Sequence, residues 1–433
     1  MPRLFLLLLL VAVLALTGFG LNMSGSPGEL AAQSPKSLTW YKGNLHTHSH
    51  WSDGDDYLEN IALWYRDQGY EFLVFTDHNV LADSEKWVVV EKTKGGQKAY
   101  EKLQANFPDW IDERTVDVQL QIRLRKFDEV VAKLDVPDSF LLIQGEEISD
   151  SFHRHPIHMN VSNVQELVVP RHGDSVFETM QNNVDAVVSQ RKLTGQPMII
   201  HLNHPNFGYA VSAEDIMKLQ GEKFFEVYNG HPGVHNTGDE THASTERIWD
   251  IVLSQRLGRL DLPLMYGLAV DDGHNYHSIP SRASEPGRGW VMVQAASLTP
   301  KSLIESLESG QFYASSGVTL ASFGHTEKEM SVEVQPEPGE TYTIEFIGTD
   351  RDTPLDGEPI LNDDGEPLAV THRYSPKIGR VLQTTEGTSA TYEFQGTELY
   401  VRAKVTSSAD HNNPSEIGDK KSAWVQPVTI PAR

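Results

Sequence analysis

The stretch that decides the fold is Asn44-Leu45-His46-Thr47-His48-Ser49-His50-Trp51-Ser52-Asp53-Gly54. Two of its histidines, His46 and His48, alternate in a strand-like run, where residues two apart point to the same face. Further polar residues follow or interrupt short apolar runs at 76–79, 145–148, 156–161, 201–204 and 271–274. A buried carboxylate or imidazole is costly unless it is paired or metal-bound. The pattern therefore predicts one metal site assembled from several strands.

Seven strand-like runs are predicted, at residues 43–47, 71–76, 140–146, 156–161, 197–203, 224–229 and 263–270. Helix-like segments lie between most of them, at residues 57–68, 122–134, 174–193, 212–220 and 245–258. Alternating strands and helices favour parallel βα units, and seven strands suggest an irregular or incomplete α/β barrel. Residues 83–138 are rich in Lys, Glu and Gln and are predicted to form a largely helical insertion, either a lid or a structural decoration.

The sequence changes character near residue 321. Runs at 330–334, 341–347, 390–394, 398–405 and 422–430 alternate apolar and polar residues between turn residues. This pattern is typical of antiparallel strands, so a C-terminal all-β sandwich-like domain is predicted over residues 321–433. The barrel is assigned to residues 38–320. The β-domain is expected to be a packing partner for the barrel, or to contact a polysaccharide or a protein.

Charge and composition exclude several classes of function. The chain has 60 acidic and 36 basic residues and a formal net charge of −24, which disfavours binding to nucleic-acid phosphates. An anionic small-molecule substrate remains compatible, because bound divalent cations reverse the local field of the carboxylates. The chain has no cysteine, so any metal must be held by nitrogen and oxygen.

The N-terminal residues have the pattern of a secretory signal. Arg3 precedes an apolar run from residue 4 to about residue 16, which is shorter than the roughly 20 residues of a membrane span. Residues 1–32 are therefore predicted to be a signal peptide and linker, with an uncleaved anchor as the alternative. We expect an exported protein, periplasmic or extracellular, with no stable membrane span after signal removal.

The order of the motifs, His-x-His…Asp, Thr-Asp-His, Gly-x-Glu-Ile, His, His-Pro and Asp-x-His, resembles the PHP (polymerase and histidinol phosphatase) superfamily over residues 40–316. The signal-like N-terminus, Phe-Glu-Val-Tyr-Asn at 225–229 and the stretch 310–317 resemble its exported carbaryl-hydrolase-like branch. The resemblance implies a distorted seven-stranded barrel that binds two or three divalent metals. The metal ligands that it implies are His46, His48, Asp53, His78, Glu147, His158, His204, Asp272 and His274.

Several neighbouring side chains compete for these roles. The motif spacing favours Glu147 over Glu146, and it favours Asp272 although the family usually has Ser-Asp-Ala-His where this chain has Asp271-Asp272-Gly273-His274. Asp77 is expected behind the ligands or as an occasional ligand, and Arg288, like Arg282, is a candidate for holding a substrate anion or an ordinary loop arginine. The surplus histidines are His50, His153, His155, His201 and His277, of which His201 is the best catalytic candidate.

Nitrogen and oxygen ligands without sulfur suit Zn²⁺, Mn²⁺ or Fe²⁺. Two such ions can share a hydroxide that attacks phosphorus or a carbonyl carbon. The first hypothesis is a phosphoesterase acting on a small phosphomonoester or diester. The second is a carboxyl or carbamate ester hydrolase with the same metal site. The third is an exported binding protein without enzymatic activity.

Overall fold

A computed structural model describes residues 38–431. The predicted signal peptide and linker at 1–32 lie outside these residues. The described helices are α1 (Leu58–Asp67), α2 (Gly96–Asn106), α3 (Phe127–Leu134), α4 (Val176–Thr194), α5 (Ala213–Ile216), α6 (Thr245–Gln255) and α7 (Pro300–Glu308). Within residues 38–431, none of the helices has the length and hydropathy needed to cross a membrane.

The described strands fall along the whole of this range. They are β1 (Thr39–Asn44), β2 (Phe72–Phe75), β3 (Trp87–Val89), β4 (Glu113–Val116), β5 (Gln119–Arg123), β6 (Leu141–Phe152), β7 (His155–Ser162), β8 (Ile199–Leu202), β9 (Phe224–Asn229), β10 (Tyr266–Val270), β11 (Trp290–Ala295), β12 (Phe312–Ser315), β13 (Leu320–His325), β14 (Glu329–Val334), β15 (Tyr342–Asp350), β16 (Arg380–Glu386), β17 (Ser389–Glu393), β18 (Glu398–Asp410) and β19 (Lys420–Thr429).

The largest sheet is mixed and has the order β10-β9-β8-β7-β6-β2-β1-β11-β12-β19-β18-β15-β16. Its first seven strands overlap the seven predicted runs, although β1 is Thr39–Asn44 rather than 43–47, so His46 and His48 follow the strand; a mixed α/β class is confirmed. Thr47, just after β1, also pairs with Gly273, just after β10, in an isolated parallel bridge. This bridge brings the carboxyl ends of the first and last of the seven strands together.

The seven strands are not all parallel, contrary to the predicted βα pattern. The pairs β1–β2, β2–β6, β8–β9 and β9–β10 are parallel, whereas β7 is antiparallel to both β6 and β8. Only His153 and Arg154 separate β6 from β7. Two residues can make a hairpin, but a parallel crossover needs a dozen or more residues.

The insertion at residues 83–138 is mixed rather than largely helical. It contains α2, α3 and a three-stranded sheet of order β3-β5-β4. The predicted helix at 122–134 therefore starts later, because residues 119–123 form β5. Between β4 and β5, Asp117 and Val118 have φ angles of 47° and 62°. Two consecutive positive φ angles are the mark of a type I′ hairpin turn, which fixes this strand pair.

Helices α4 and α6 cover one side of the β7–β9 region, where Met180 and Val184 of α4 and Ile248 and Trp249 of α6 join a common hydrophobic core. Both helices begin at a serine whose Oγ accepts a backbone N–H: Ser175 from Glu178 and Ser244 from Arg247. Such caps satisfy one of the N–H groups that a helix start leaves unpaired.

The strands after residue 320 form two layers. Strands β19, β18, β15 and β16 extend the large sheet through the pairing of β12 with β19, while β13, β14 and β17 form a separate sheet. Met330 and Val332 of β14 share a hydrophobic core with Phe346 of β15 and Val401 and Ala403 of β18. The pairing of β12 with β19 joins these strands directly to the sheet that carries the histidines.

Candidate metal centre

The predicted ligands converge at the carboxyl ends of β1, β2, β8 and β10 and on the central parts of β6 and β7. His46 and His48 flank Thr47, and their Nε2 atoms lie 3.0 Å apart. The Oε2 atom of Glu147 lies 3.2 Å from His48 Nε2 and 3.5 Å from His46 Nε2. It also lies 2.9 Å from Nδ1 of His78, which follows β2. His46, His48 and Glu147 are fully buried, whereas His78 is partly exposed.

Asp53 adds a second carboxylate on the outer side of the cluster. Its Oδ1 atom lies 3.2 Å from His274 Nε2, 3.5 Å from His78 Nε2 and 3.8 Å from His48 Nδ1. Asp53, His48, His78 and His274 offer ligand atoms that all lie within 4.8 Å of one another. Asp53 is the most exposed of them, so this group faces the solvent side.

The remaining predicted ligands complete the cluster. His158 Nδ1 lies 3.0 Å from Glu147 Oε1, and His204 Nε2 lies 3.7 Å from the same atom. Asp272 Oδ1 lies 3.3 Å from His46 Nε2. Two further groups of potential ligands are thus compact, namely His46, His48 and Glu147, and His78, Glu147 and His158.

The donor set fits divalent cations. Buried Glu147 Oε2, Asp53 Oδ1 and His48 Nδ1 have no protein hydrogen-bond partner of good geometry. Unsatisfied buried polar atoms are rare in folded proteins and call for a partner such as an ion. Among residues 38–431, three overlapping groups of imidazole and carboxylate atoms could each hold such an ion. The structure thus shows a His/Asp/Glu cluster capable of binding metals.

The side chains of the cluster form a network of ion pairs. Burial opposes ionisation of Glu147, but the imidazoles of His78 and His158 outweigh it and hold its pKa well below the usual range. Burial lowers the pKa of His48 to about 3, with His274 acting in the same direction. His78 is desolvated too, yet the charge of Glu147 raises its pKa to about 9. At pH 7 Glu147 is therefore ionised and His48 is neutral, as metal ligands must be, whereas His78 is protonated and has to lose its proton to bind a metal.

The neighbouring acids, Glu146 and Asp271, lie outside the cluster. Glu146 points to the other face of β6, where it accepts the Val168 N–H at 2.8 Å, and burial raises its pKa to about 7. Asp271 Oδ2 accepts from Asn44 at 2.6 Å and from Tyr65 at 2.8 Å. The structure thus places Glu147 and Asp272, rather than Glu146 and Asp271, in the His/Asp/Glu cluster.

The three predicted catalytic residues lie around the cluster rather than in it. Asp77 accepts from the backbone N–H and the hydroxyl of both Ser49 and Ser52, which fixes the loop that carries Asp53. His201 is fully buried, with Nε2 3.2 Å from Glu226 Oε1. These contacts favour a positioning role for Asp77 and His201.

Arg288 is 1% exposed, and its guanidinium donates to the Gly230 carbonyl at 2.7 Å and to the Asn413 side chain at 3.1 Å. It also pairs with Glu285 at 3.2 Å. These contacts favour a role for Arg288 in fixing loops rather than in holding a substrate anion. Arg282 is exposed.

The surplus histidines have local partners or lie at the surface. His50 Nδ1 lies 3.0 Å from the Gly54 carbonyl oxygen, and His277 Nε2 lies 2.7 Å from the Asp55 carbonyl oxygen. His153 is exposed in the turn between β6 and β7, and His155 opens β7. None of these four belongs to the compact ligand groups found among residues 38–431.

Glu226, a buried carboxylate of β9, supports the cluster from behind and has no role in the predicted site. Its Oε1 lies 2.7 Å from His46 Nδ1, and its Oε2 accepts the backbone N–H of His204 at 2.7 Å. Asn229 donates to Glu226 Oε2 at 2.8 Å and to Asp272 Oδ2 at 3.1 Å. Glu226 belongs to the Phe-Glu-Val-Tyr-Asn stretch, and its signal in the sequence is a carboxylate inside an otherwise apolar strand.

The sequence motifs give no role to two further residues near the cluster, Asn203 and His231. Asn203 donates to Glu147 Oε1 at 2.8 Å and so holds one oxygen of the central carboxylate. His231 follows β9, and its ring lies edge-on to His274 at a centroid distance of 5.6 Å. His231 Nδ1 accepts the Gly233 N–H at 2.9 Å, which leaves the Nε2 atom as its donor. Asn203 precedes the predicted ligand His204, whereas His231 lies in a loop without a strand signal.

A comparison with curated proteins gives one partial likeness. The chain is 26% identical to the DNA polymerase/3'-5' exonuclease PolX of Bacillus subtilis over 137 residues, which is 31% of this chain and 23% of PolX. The chain thus matches less than a quarter of that relative's length. No protein-family model matches the chain.

Solved structures give weak likenesses over a larger part of the chain. A two-domain protein of Bacteroides vulgatus containing a predicted PHP-like metal-dependent phosphoesterase is 14% identical, covers 92% of this chain and 97% of its own, and has a TM-score of 0.39. A metal-dependent phosphoesterase of Bifidobacterium adolescentis is 13% identical, with coverages of 55% and 89% and a TM-score of 0.27. An amidohydrolase of Chromobacterium violaceum is 13% identical, with coverages of 54% and 87% and a TM-score of 0.28. Likenesses this weak carry no functional assignment. A function therefore has to be argued from the geometry of the metal cluster.

Proposed function

We propose that the protein is a metal-dependent hydrolase of the PHP type, acting as a phosphoesterase on a small phosphomonoester or diester. The observation that carries the proposal is that three compact ligand groups share His48, His78 and Glu147 in pairs, with all ligand atoms of each group within 4.8 Å. Sites with adjacent divalent cations and nitrogen and oxygen ligands are typical of hydrolytic enzymes. In this proposal the seven strands β1, β2 and β6–β10 form the distorted barrel.

Divalent cations at this cluster would activate a water molecule for attack and stabilise the negative charge that develops on the substrate oxygens. The chain's own residues fix the geometry in which this takes place. Glu226 orients the His46 ring so that Nε2 faces the cluster, and Asn229 links Glu226 to Asp272. Asn203 holds Oε1 of Glu147. Such partners behind a ligand set its ring orientation and tautomer.

The accessible side of the cluster is where the substrate would bind. The side chains of His158, His274 and His78 are 18%, 14% and 27% exposed, whereas His46, His48 and Glu147 are fully buried. Divalent cations bound at this side of the cluster would present a positive field to an approaching anion. A phosphate ester carries negative charge on its reacting group, whereas a carboxyl or carbamate ester does not, and this favours the phosphate substrate.

The test combines metal analysis with a substrate panel on the purified full chain. After reconstitution with Mn²⁺, Zn²⁺ or Fe²⁺, elemental analysis is expected to find two or three ions per chain. The panel compares 4-nitrophenyl phosphate, bis(4-nitrophenyl) phosphate, 1-naphthyl acetate and 1-naphthyl N-methylcarbamate, with hydrolysis expected for the phosphate esters. Fewer than two ions per chain would refute the multinuclear site. Turnover of the carbon esters alone would replace the phosphoesterase with the ester hydrolase, and bound metal without turnover would leave a binding protein.

We also propose that the protein is exported, on the strength of Arg3 and the apolar run after it. Fractionation of cells that express the full chain is expected to place it in the periplasm or medium, and a cytosolic product of full length would refute this. The two-layered C-terminal strands are proposed to serve chiefly as a packing partner for the large sheet.

A further inference from the structure

A cavity of about 310 Å³ opens beside the metal cluster, between the 50–54 loop and the insertion. Asp53 forms part of its wall, and the insertion supplies most of the rest. The insertion side chains that line it include Lys86, Val88, Val89, Lys92 and Lys94. The cavity therefore combines three ammonium groups with a short apolar surface.

Asp53 links this cavity to the cluster. Its Oδ1 atom lies 3.2 Å from His274 Nε2 in the cluster, while its Oδ2 atom accepts from Lys94 Nζ at 3.0 Å. A molecule that reaches the cluster past Asp53 therefore comes within reach of the Lys94 ammonium. The two sites are close enough for one small substrate to occupy both.

The three lysines are not equivalent. Lys86 Nζ donates to the Trp51 carbonyl at 2.6 Å, so part of its role is to hold the loop. Lys94 pairs with Asp53. Lys92, in contrast, is exposed, and its ammonium makes no hydrogen bond or ion pair with any of residues 38–431. An unpaired cation at the edge of a cavity attracts an anion.

The overall charge of the chain makes this grouping more significant. The chain has 60 acidic and 36 basic residues, so a cavity lined by three lysines is more basic than the chain as a whole. Asp53 is the only acid among the residues that line the cavity, and Lys94 already pairs with it. The cavity is therefore a local positive region next to a cluster of metal ligands.

We propose that this cavity is a subsite for a second anionic group of the substrate, a carboxylate or a phosphate separate from the group that is hydrolysed. In this arrangement the metal cluster takes the scissile ester, Val88 and Val89 contact the linking carbons, and Lys92 and Lys94 hold the second anion. The inference rests on the proposed function, and it narrows the substrate class to esters with two anionic groups.

A matched pair of ligands that cannot be hydrolysed tests the subsite directly. Phenylphosphonate and 4-carboxyphenylphosphonate differ only in the carboxylate, and their Kd values for the metal-loaded full chain can be measured by titration calorimetry. The carboxylate is expected to lower Kd by roughly tenfold, as two exposed charge pairs would. Lys92→Gln is expected to reduce this advantage by roughly two- to fivefold.

Lys98→Gln is the matched control. Lys98 is an exposed lysine of α2 in the same insertion, and it donates to Ser278 Oγ at 2.7 Å but does not line the cavity. Its replacement is expected to leave the advantage of the carboxylate unchanged. Lys94→Gln is expected to act like Lys92→Gln, and metal content is measured alongside because Lys94 pairs with Asp53.

The outcomes separate the two proposals. Equal Kd values for the two phosphonates, or a carboxylate advantage that is as large in Lys92→Gln as in the wild type, would refute the subsite whether or not esters are hydrolysed. A carboxylate advantage that depends on Lys92, together with no turnover of any ester, would support the subsite and refute the hydrolase. Hydrolysis with no carboxylate advantage would support the hydrolase alone.

Discussion

Glu226→Gln is expected to weaken metal binding without unfolding the chain, because Glu226 fixes the tautomer of His46. Burial opposes ionisation of Glu226, but the imidazoles of His46 and His201 outweigh it and lower its pKa to about 2. The ionised carboxylate accepts from His46 Nδ1, from the His204 backbone N–H and from Asn229. With Nδ1 protonated, the lone pair of His46 Nε2 is free to face the cluster.

Glutamine has the same shape but only one acceptor oxygen. If its NH₂ group faces His46, then Nδ1 must accept, the ring proton moves to Nε2 and the ligand atom is blocked. If the NH₂ group faces the His204 N–H instead, two buried donors meet, which costs about 1–3 kcal/mol. Changes of such partners typically lower metal affinity by about 10–100-fold, equivalent to roughly 1.4–2.7 kcal/mol.

The assay is metal affinity by competition with a chelating dye, with far-UV circular dichroism to confirm folding. Glu146→Gln is the matched control, because Glu146 is equally buried but points to the other face of β6. The control is expected to bind metal like the wild type. A metal affinity of Glu226→Gln within about twofold of the wild type would show that Glu226 does not orient His46.

Four further outcomes are expected. His48→Ala is expected to abolish ester hydrolysis while the far-UV spectrum is retained; substantial residual turnover would remove His48 from the site. Chelation of the metals is expected to lower the unfolding midpoint, since free metal at 1,000 times its Kd contributes about 4 kcal/mol, and an unchanged midpoint would argue against structural coupling. Burial raises the pKa of Glu59 to about 7, so the folded chain holds the Glu59 proton more tightly than the unfolded chain does. The stability that this protonation contributes is complete below about pH 4.5 and is lost as the pH rises to about 7. Between pH 5 and pH 8, urea titrations should show that the free energy of unfolding falls by roughly 3 kcal/mol more in the wild type than in Glu59→Gln. An equal change in the wild type and the variant would contradict this. Asp250→Ala is expected to lower the free energy of unfolding by about 3 kcal/mol, because Arg402, 1% exposed and held at 2.8 Å by Asp250, keeps only Glu246 at 3.6 Å as an ion-pair partner; a urea titration showing less than roughly 1 kcal/mol would refute this.

Much of the candidate site could be predicted because its residues carry a local signal. His46 and His48 alternate around Thr47, and Asp272 and His274 follow the apolar strand β10. Polar ligand-type side chains in or beside buried strands are unusual enough to mark a site, and the order of the motifs gives all nine positions. The structure brings all nine side chains together.

The insertion and the direction of β7 show where local signals were insufficient. Helix-forming Lys, Glu and Gln are frequent in residues 83–138, yet the type I′ turn at Asp117 and Val118 commits part of the segment to a hairpin. The short connection at His153 requires β7 to run antiparallel to β6. Its length, however, is known only once the ends of β6 and β7 are known. Turn geometry and exact strand ends depend on a few residues, and composition averages them away.

The sequence by itself determined the class of chemistry: imidazole and carboxylate ligands without sulfur, at strand ends, in an acidic α/β chain. Only the tertiary structure decided which groups support that chemistry. Glu226 meets His46 across 180 residues of chain, and Lys94 meets Asp53 across 41. Ligand types are a property of single residues, but the partners that orient a ligand, and the cavity that selects a substrate, arise from contacts between segments that the chain order does not place together.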